Sequence, residues 1–488
     1  MNSMSFVSKM INRIKSRQDK SGNRQIIQLT YIYVGLFLML IIYVSIFVAK
    51  DSTEIINNTY NKREELFEER IIRGSILARN GDVLAYTSCL PDGSEQRVYP
   101  YDNAFAHVVG FNGKGKSGIE NTYNFMMLKS NNHISERVNN DFNGIKNVGD
   151  SIVTTLDTSA QLAASNALDG VKGAVVAMNC ETGEIVAMVS KPDFNPNEIN
   201  EIWEKINSDN INSPLLNRST QGLYPPGSTF KIVTAIEYIR EYGINSNYSY
   251  DCKGSFSYEG STINCYHGQK HGPIDFDKSF AKSCNSSFAN ITTKLNKEKF
   301  METCQELLFG EKLPGPFNDE KNSYVPINKN SSTDELLQTG IGQGNTGITP
   351  YHMCLISSAI ANDGMLMEPI LVSEIKTSYG DIVKKYPQKE YKAIISEDEA
   401  GELKHLMREV VTEGTGTRIN NTATYVAYGK TGSAEFSLDK SQSHAWFTGF
   451  AESDNEKIAI AVIIEAGGSG GEKAVPVARS VFDAYFGK

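Results

Sequence analysis

Residues 173–191, GAVVAMNCETGEIVAMVSK, decide how the rest of the chain is read. Two apolar runs flank the turn residues CETG. Runs this short, with no polar alternation, belong to a β-hairpin buried on both faces. Such a hairpin needs more strands beside it and helices above and below. The C-terminal region offers both: 424–436 (TYVAYGKTGSAEF), 444–451 (HAWFTGFA) and 457–467 (KIAIAVIIEAG) read as strands, and 475–486 (VPVARSVFDAYF) as a helix. More than 200 residues of helical segments and loops separate the two groups. The expected architecture is α+β: an antiparallel sheet of a hairpin plus three strands, covered by helices.

N-terminal to the hairpin, 158–171 (TSAQLAASNALDGV) reads as a helix and 51–74 as a charged stalk. Between them, 76–87, 97–101 and 106–111 carry short strand signals, and the Asn-Gly in 78–86 (ARNGDVLAY) marks a hairpin. A small, elongated, mostly β domain is expected there. Further upstream, 29–49 are 21 consecutive uncharged residues, enough to span a hydrocarbon core of about 30 Å. SIFVAK is a poor cleavage site, so a retained anchor is expected rather than a signal peptide.

Charge divides across that anchor. The whole chain of 488 residues carries −9, yet residues 1–24 carry +5 and the remainder −14. Cations on the N-terminal flank place that end in the cytoplasm and everything after about residue 50 outside. The length allows two or three domains, and the reading settles on two, a pedestal 50–150 and a larger body 151–488, preceded by a cytoplasmic tail 1–28 and an anchor 29–49. An acidic body argues against nucleic acid as a partner. Residues 110–117 (GFNGKGKS) fit a P-loop pattern and 342–347 (GQGNTG) a dinucleotide pattern. The outer membrane face has no nucleotide supply, Gly118 is a poor helix start, and Pro350 opens a new helix capped by Thr349. No nucleotide site is expected at either.

The chemistry centres on 225–231, PPGSTFK. Pro-Pro-Gly ends the preceding chain and a helix follows until Gly243. Ser228 sits at its start, with Lys231 one turn on along the same face. Lys231 can accept the serine proton only if burial lowers its pKa from about 10.4 toward 7–8. Alone, S-x-x-K is a weak signal. Here Ser283-Cys284-Asn285 follows 55 residues later at the start of a helix, and Lys430-Thr431-Gly432 follows 202 residues later on a strand. S-x-x-K, S-x-N and K-T-G, in that order, mark serine acyl-transfer enzymes that react with β-lactams.

On these motifs the sequence resembles the class B penicillin-binding proteins, monofunctional peptidoglycan D,D-transpeptidases. The resemblance extends over RGSILARNGDVLA (73–85), YDNAFAHVVGF (101–111), SGIENTYN (117–124), 173–197, LYPPGSTFK (223–231), GQGNTGITP (342–350) and GKTGSAEF (429–436). It departs in the Cys at the centre of S-x-N and in Ser433 where Thr is more usual. The resemblance implies that Ser228 is acylated by a peptidoglycan stem peptide, or by a β-lactam, with Lys231 as general base. It implies that Ser283 and Lys430 relay a proton and that Asn285 orients the substrate amide. Thr431, Gly432 and Ser433 bind substrate, with the Ser228 and Ser433 N–H groups as oxyanion hole. Catalysis needs no cofactor on this reading, and a membrane glycan polymerase is the expected partner. The alternatives are a membrane-anchored β-lactamase, a β-lactam sensor or a catalytically secondary cell-wall scaffold. The glutamate segment of class A lactamases is absent: 297–308 (KEKFMETCQELL) has carboxylates but not that pattern. About 178 residues between anchor and Ser228 leave no room for a glycosyltransferase.

Seven cysteines are an odd number for an exported chain. Cys252, Cys265 and Cys284 lie close together with His267 and His271, spaced C-x12-C-x5-H-x12-C. Thiolates with imidazole suit tetrahedral zinc, which some class B relatives hold here. The expected ligands are Cys252, Cys265, His271 and Cys284, with His267 or Asp251 as alternatives. A Cys252–Cys265 disulfide or simple buried thiols stay open. Cys89, Cys180, Cys304 and Cys354 read as core or incidental thiols.

Overall fold

The two apolar runs around CETG form β1 (Gly173–Asn179) and β2 (Ile185–Lys191), antiparallel and buried along their whole length. In the computed structural model, which describes residues 3–50, 63–244, 246–419, 424–436, 442–453 and 456–487, three late strands join them. These are β3 (Val426–Glu435), β4 (Ser443–Ser453) and β5 (Glu456–Ile464). The order is β2-β1-β5-β4-β3, every neighbouring pair antiparallel, with β3 at one edge.

Five helices position the site: α1 (Thr158–Ala167), α2 (Lys231–Tyr242), α3 (Asn285–Thr292), α4 (Pro350–Ala361) and α5 (Gly470–Tyr485). Strand alternation divides the core between the two faces of the sheet. Val175, Ala177, Ile458, Ile460 and Val462 pack against α1 and α5. Ala174, Val176, Ala459, Ala461 and Ile463 face α4 and the helical layer that contains α2 and α3. Thr349 caps α4 through its side chain, with Pro350 in the first turn, as expected.

The first 65 residues and residues 66–488 are separate compact units. In the first, helix Ser3–Lys50 contains a stretch, Arg24–Phe47, long and apolar enough to cross a membrane. In the second, the Asn-Gly hairpin forms as Ile76–Leu77 against Val83–Cys89. These strands, Glu95–Val98 and Ser151–Thr154 share a six-stranded sheet with Val372–Lys376 and Ile382–Lys385 from much later in the chain. Short helices alternate with these strands. The strand expected in 106–111 is one of them: Ala106–Val109 is a single helical turn ended by Gly110 at φ 86°. Its apolar residues are buried against neighbouring segments, and a short apolar run does not distinguish strand from helix.

Buried ion pairs hold this region. Glu120 is fully buried and accepts from Arg73 Nε and Arg97 Nε, each at 2.7 Å. Burial would raise its pKa, but the two guanidinium groups outweigh burial and lower it.

Candidate active site

Ser228 lies in a 3₁₀ turn, Gly227–Phe230, that runs directly into α2. The turn is fixed from three sides. Trp446 Nε1 donates to Pro225 O at 3.0 Å, and Gly227 N donates to Gly342 O at 2.8 Å. Gly227 has φ 53°, and a Cβ there would lie 2.8 Å from Ser433 O. Gly342 is equally constrained, since its Cβ would fall 1.9 Å from Gly227 O. The run 342–347 is therefore a close-packing surface beneath the nucleophile turn. Residues 110–117 form a tight hairpin, Asn112–Gly113 against Gly115–Lys116.

The first nine residues of α2, from Lys231 to Ile239, are all buried. Lys231 is thus held away from water, and its Nζ donates to Ser283 O and Asn285 Oδ1, both at 2.8 Å, with Ser283 Oγ at 3.3 Å. Burial pushes its pKa down to about 8. Ser283 has a left-handed backbone, φ 56°, just before Cys284 caps α3. Its hydroxyl accepts from Lys430 Nζ at 2.8 Å. Lys430 is also fully buried, and burial, then the nearby charge of Lys231, lowers its pKa well below normal.

K-T-G lies on edge strand β3, with Thr431 opposite Phe447 and Ser433 opposite Ala445. A Cβ at Gly432 would be 3.0 Å from Pro226 O and 3.1 Å from Thr229 Cγ2, so glycine lets β3 lie against the Ser228 turn. Ser228, Ser283, Asn285, Thr431, Gly432 and Ser433 line one cleft of about 240 Å³. Lys231 and Lys430 lie beneath it, bonded to Ser283. All eight residues singled out in the three motifs are therefore brought together.

Other cleft residues had little signal in the sequence: Tyr266, Lys282, Thr415 and Ser469–Gly471. The glycine-rich run 467–471 was the available cue. A Cβ at Gly470 would lie 2.4 Å from Gly432 O, so this run packs on K-T-G itself.

Beside the cleft, Cys252, Cys265, His271 and Cys284 offer ligand atoms within 4.8 Å of one another. Cys252 to Cys265 and Cys265 to Cys284 are both 3.7 Å between sulfurs, and Cys252 Sγ to His271 Nδ1 is 3.3 Å. A disulfide needs about 2.05 Å. A tetrahedron with Zn–S near 2.3 Å has edges of about 3.8 Å, so the donor set fits a tetrahedral metal ion. The hydrogen bond between Cys284 and Cys265 lowers the pKa of the Cys265 thiol and raises that of Cys284, so one proton is held between the two sulfurs. His267 and Asp251 are not in the cluster, and Asp251 instead lies 3.9 Å from Lys253. Cys180, Cys304 and Cys354 are buried thiols, and Cys89 is exposed.

Comparison with known proteins gives this geometry a family. The penicillin binding protein transpeptidase domain matches residues 173–483, and the penicillin binding protein A dimerisation domain matches 73–152. Among curated proteins, the peptidoglycan D,D-transpeptidase PbpA of Mycolicibacterium smegmatis is 32% identical over 463 residues, covering 87% of this chain and 91% of the relative. Among solved structures, penicillin-binding protein A from M. tuberculosis as a ceftriaxone acyl-enzyme complex has a TM-score of 0.78 at 27% identity, covering 86% of this chain and 99% of that one. The D,D-transpeptidase domain of a peptidoglycan glycosyltransferase from Eggerthella lenta has a TM-score of 0.75 at 26% identity, covering 86% and 99%. With Ser283 between two buried lysines under the Ser228 cleft and a family domain over most of its length, the chain belongs to the penicillin-binding protein transpeptidases, serine acyl-transfer enzymes.

Proposed function

We propose that this chain cross-links peptidoglycan stem peptides at an outer membrane face, through an ester on Ser228. The observation that carries the residue roles is the Lys231–Ser283–Lys430 chain of contacts, at 3.3 and 2.8 Å. Neutral Lys231 takes the proton as Ser228 Oγ attacks the penultimate D-Ala carbonyl. The Ser228 and Ser433 N–H groups hold the oxyanion. As the intermediate collapses, Ser283 and Lys430 deliver a proton to the departing amine of the terminal D-Ala. An amine from a second stem peptide then attacks the ester, forming the cross-link and returning the proton to Ser228. A β-lactam enters the first half of this sequence and stays as the adduct.

The lactamase alternative needs a carboxylate to activate water. Among the described residues no Asp or Glu lines the cleft around Ser228, and Glu302 and Glu306 line a different groove. That supports a slowly hydrolysed ester. Cys252, Cys265, His271 and Cys284 would hold a structural zinc that steadies the Ser283–Asn285 segment. Residues 50–150 act as pedestal to a catalytic body 151–488, and contact with a membrane glycan polymerase runs through anchor and pedestal.

Fluorescent penicillin should label the full chain covalently, and Ser228→Ala should abolish the label. Retained labelling would exclude Ser228 as nucleophile. Rapid release of the adduct would favour the lactamase. Reporters at the two termini should fall on opposite sides of the membrane, and finding both in the cytoplasm would sink the orientation.

A further inference from the structure

Three segments meet at Ser228 from distant parts of the sequence: the turn Gly227–Phe230, K-T-G on β3 and the glycine-rich run 467–471. Acylation needs them in fixed register, and one side chain outside all three motifs touches the approach to each. His444 is the second residue of β4, opposite Ala434 of β3, and is 8% exposed. It does not line the Ser228 cleft.

Its ring is held on both sides. Phe436, the residue after β3, stacks on it with centroids 4.2 Å apart and planes at 16°, and Tyr224 meets it edge-on at 5.4 Å. The third contact is polar: Ala466 N donates to His444 Nδ1 at 3.1 Å. A backbone N–H can only donate, so Nδ1 is the acceptor and the ring proton sits on Nε2. Burial lowers the His444 pKa to about 4, against the opposing charge of Glu465, so the ring keeps its acceptor at neutral pH. Ala466 has a left-handed backbone, φ 52°, which a residue with a Cβ adopts at a cost. The hydrogen bond holds that conformation at the point where the run toward Gly470 begins.

These contacts close a circuit. Glu465, next to Ala466, accepts from Tyr224 Oη at 2.8 Å and from Arg218 Nε at 2.7 Å. Tyr224 N and O pair with Ile348 O and N. Tyr224 also precedes Pro225, whose carbonyl accepts from Trp446, two residues along β4 from His444 and on the same face. A shift at Ala466 is thereby felt both at the Ser228 turn and at Gly432, against which Gly470 packs.

We propose that His444 is a positioning residue for acylation: by accepting from Ala466 N and supporting Tyr224, it sets the spacing between the Ser228 turn and K-T-G. The inference rests on Ser228 as the nucleophile, and no bond is made or broken at the imidazole.

The test is the concentration dependence of penicillin labelling of the full chain, which separates initial binding from the acylation rate constant. His444→Leu fills similar space without an acceptor, whereas His444→Asn places a carboxamide oxygen near the Nδ1 position. His444→Leu should lower the acylation rate constant about tenfold, the scale of one unpaired polar group, with initial binding within about threefold of wild type. His444→Asn should recover most of that loss. A residue that only fills space would give the opposite order, with leucine nearer wild type than the smaller asparagine. That order, or acylation by His444→Leu at the wild-type rate, would overturn the assignment. If His444→Leu does not fold, His444→Gln takes its place, since its carboxamide reaches the Nε2 position instead. It should also be slow, and a wild-type rate there would overturn the assignment equally. No penicillin label on the wild type would instead overturn the reading of Ser228 itself.

Discussion

Lys430 Nζ and Ser283 Oγ are 2.8 Å apart, and that hydroxyl is 3.3 Å from Lys231 Nζ, so one serine bridges two fully buried lysines. Two ammonium groups this close in a dry site cannot both keep their protons near neutral pH. One of the two is thereby held neutral, the form that a proton acceptor at the Ser228 cleft would need.

The first prediction is a pH profile. Burial sets Lys231 at about 8, and only its neutral form accepts the serine proton. That form grows as pH rises, so penicillin acylation should increase about tenfold per pH unit up to about 8 and then level off. Pseudo-first-order labelling rates from pH 6 to 9.5 check this. A rate independent of pH over that range would exclude Lys231 as the base.

Ser283 allows chemistry and fold to be separated. Its φ of 56° strains a residue with a Cβ, by about 1 kcal/mol or more. Ser283→Gly relieves that strain while loosening the unfolded chain by a similar amount. Stability should therefore stay within about 1 kcal/mol while acylation falls about 10²-fold or more. Urea unfolding alongside labelling rates measures both, and wild-type labelling by the variant would remove Ser283 from the proton path.

Gly227 has the opposite character. Alanine there meets Ser433 O at 2.8 Å with φ at 53°. Gly227→Ala should cost about 2–4 kcal/mol and slow acylation by shifting Ser228 relative to β3. A loss under about 0.5 kcal/mol would show that the turn can yield.

These cases mark what the sequence discloses. The hairpin at 173–191 was legible because strands buried on both faces leave no polar alternation. The three motifs were legible because each begins a helix or lies on a strand whose own pattern is clear. The Cys252, Cys265, His271, Cys284 set was legible from residue type and spacing. Residues 372–385 joining the Ile76–Leu77 sheet were not, since that pairing crosses more than 200 residues and leaves no local trace. The runs 342–347 and 467–471 look like loops for phosphate or flexibility. Only the backbone approaches of Gly342 and Gly470 show that they are packing surfaces.

Glu120 tests the N-terminal segment. It faces Arg73 and Arg97 in a fully buried network. Glu120→Gln leaves two buried guanidinium groups without a counter-charge and should cost about 3–5 kcal/mol. Because its pKa is lowered in the fold, the stabilisation is present above the unfolded value of about 4.3 and is lost as pH falls through the folded value. Denaturant midpoints at pH 7 for both proteins check the cost, and equal midpoints would assign the network no net stability.

The metal prediction turns on Cys252, a proposed ligand that is distant from the catalytic segment in sequence. Its sulfur is 3.7 Å from Cys265, whose sulfur is 3.7 Å from that of Cys284, between Ser283 and Asn285. A structural zinc contributes several kcal/mol of folding free energy, so the purified full chain should carry about one zinc. Chelation should lower its melting temperature by about 5 °C or more. Cys252→Ser should lose the metal and slow acylation, although Cys252 does not line the Ser228 cleft. Wild-type melting and labelling after complete chelation would mean that these four residues pack as a thiol core, and that the Ser283–Asn285 segment is held by α3 and Lys231 alone.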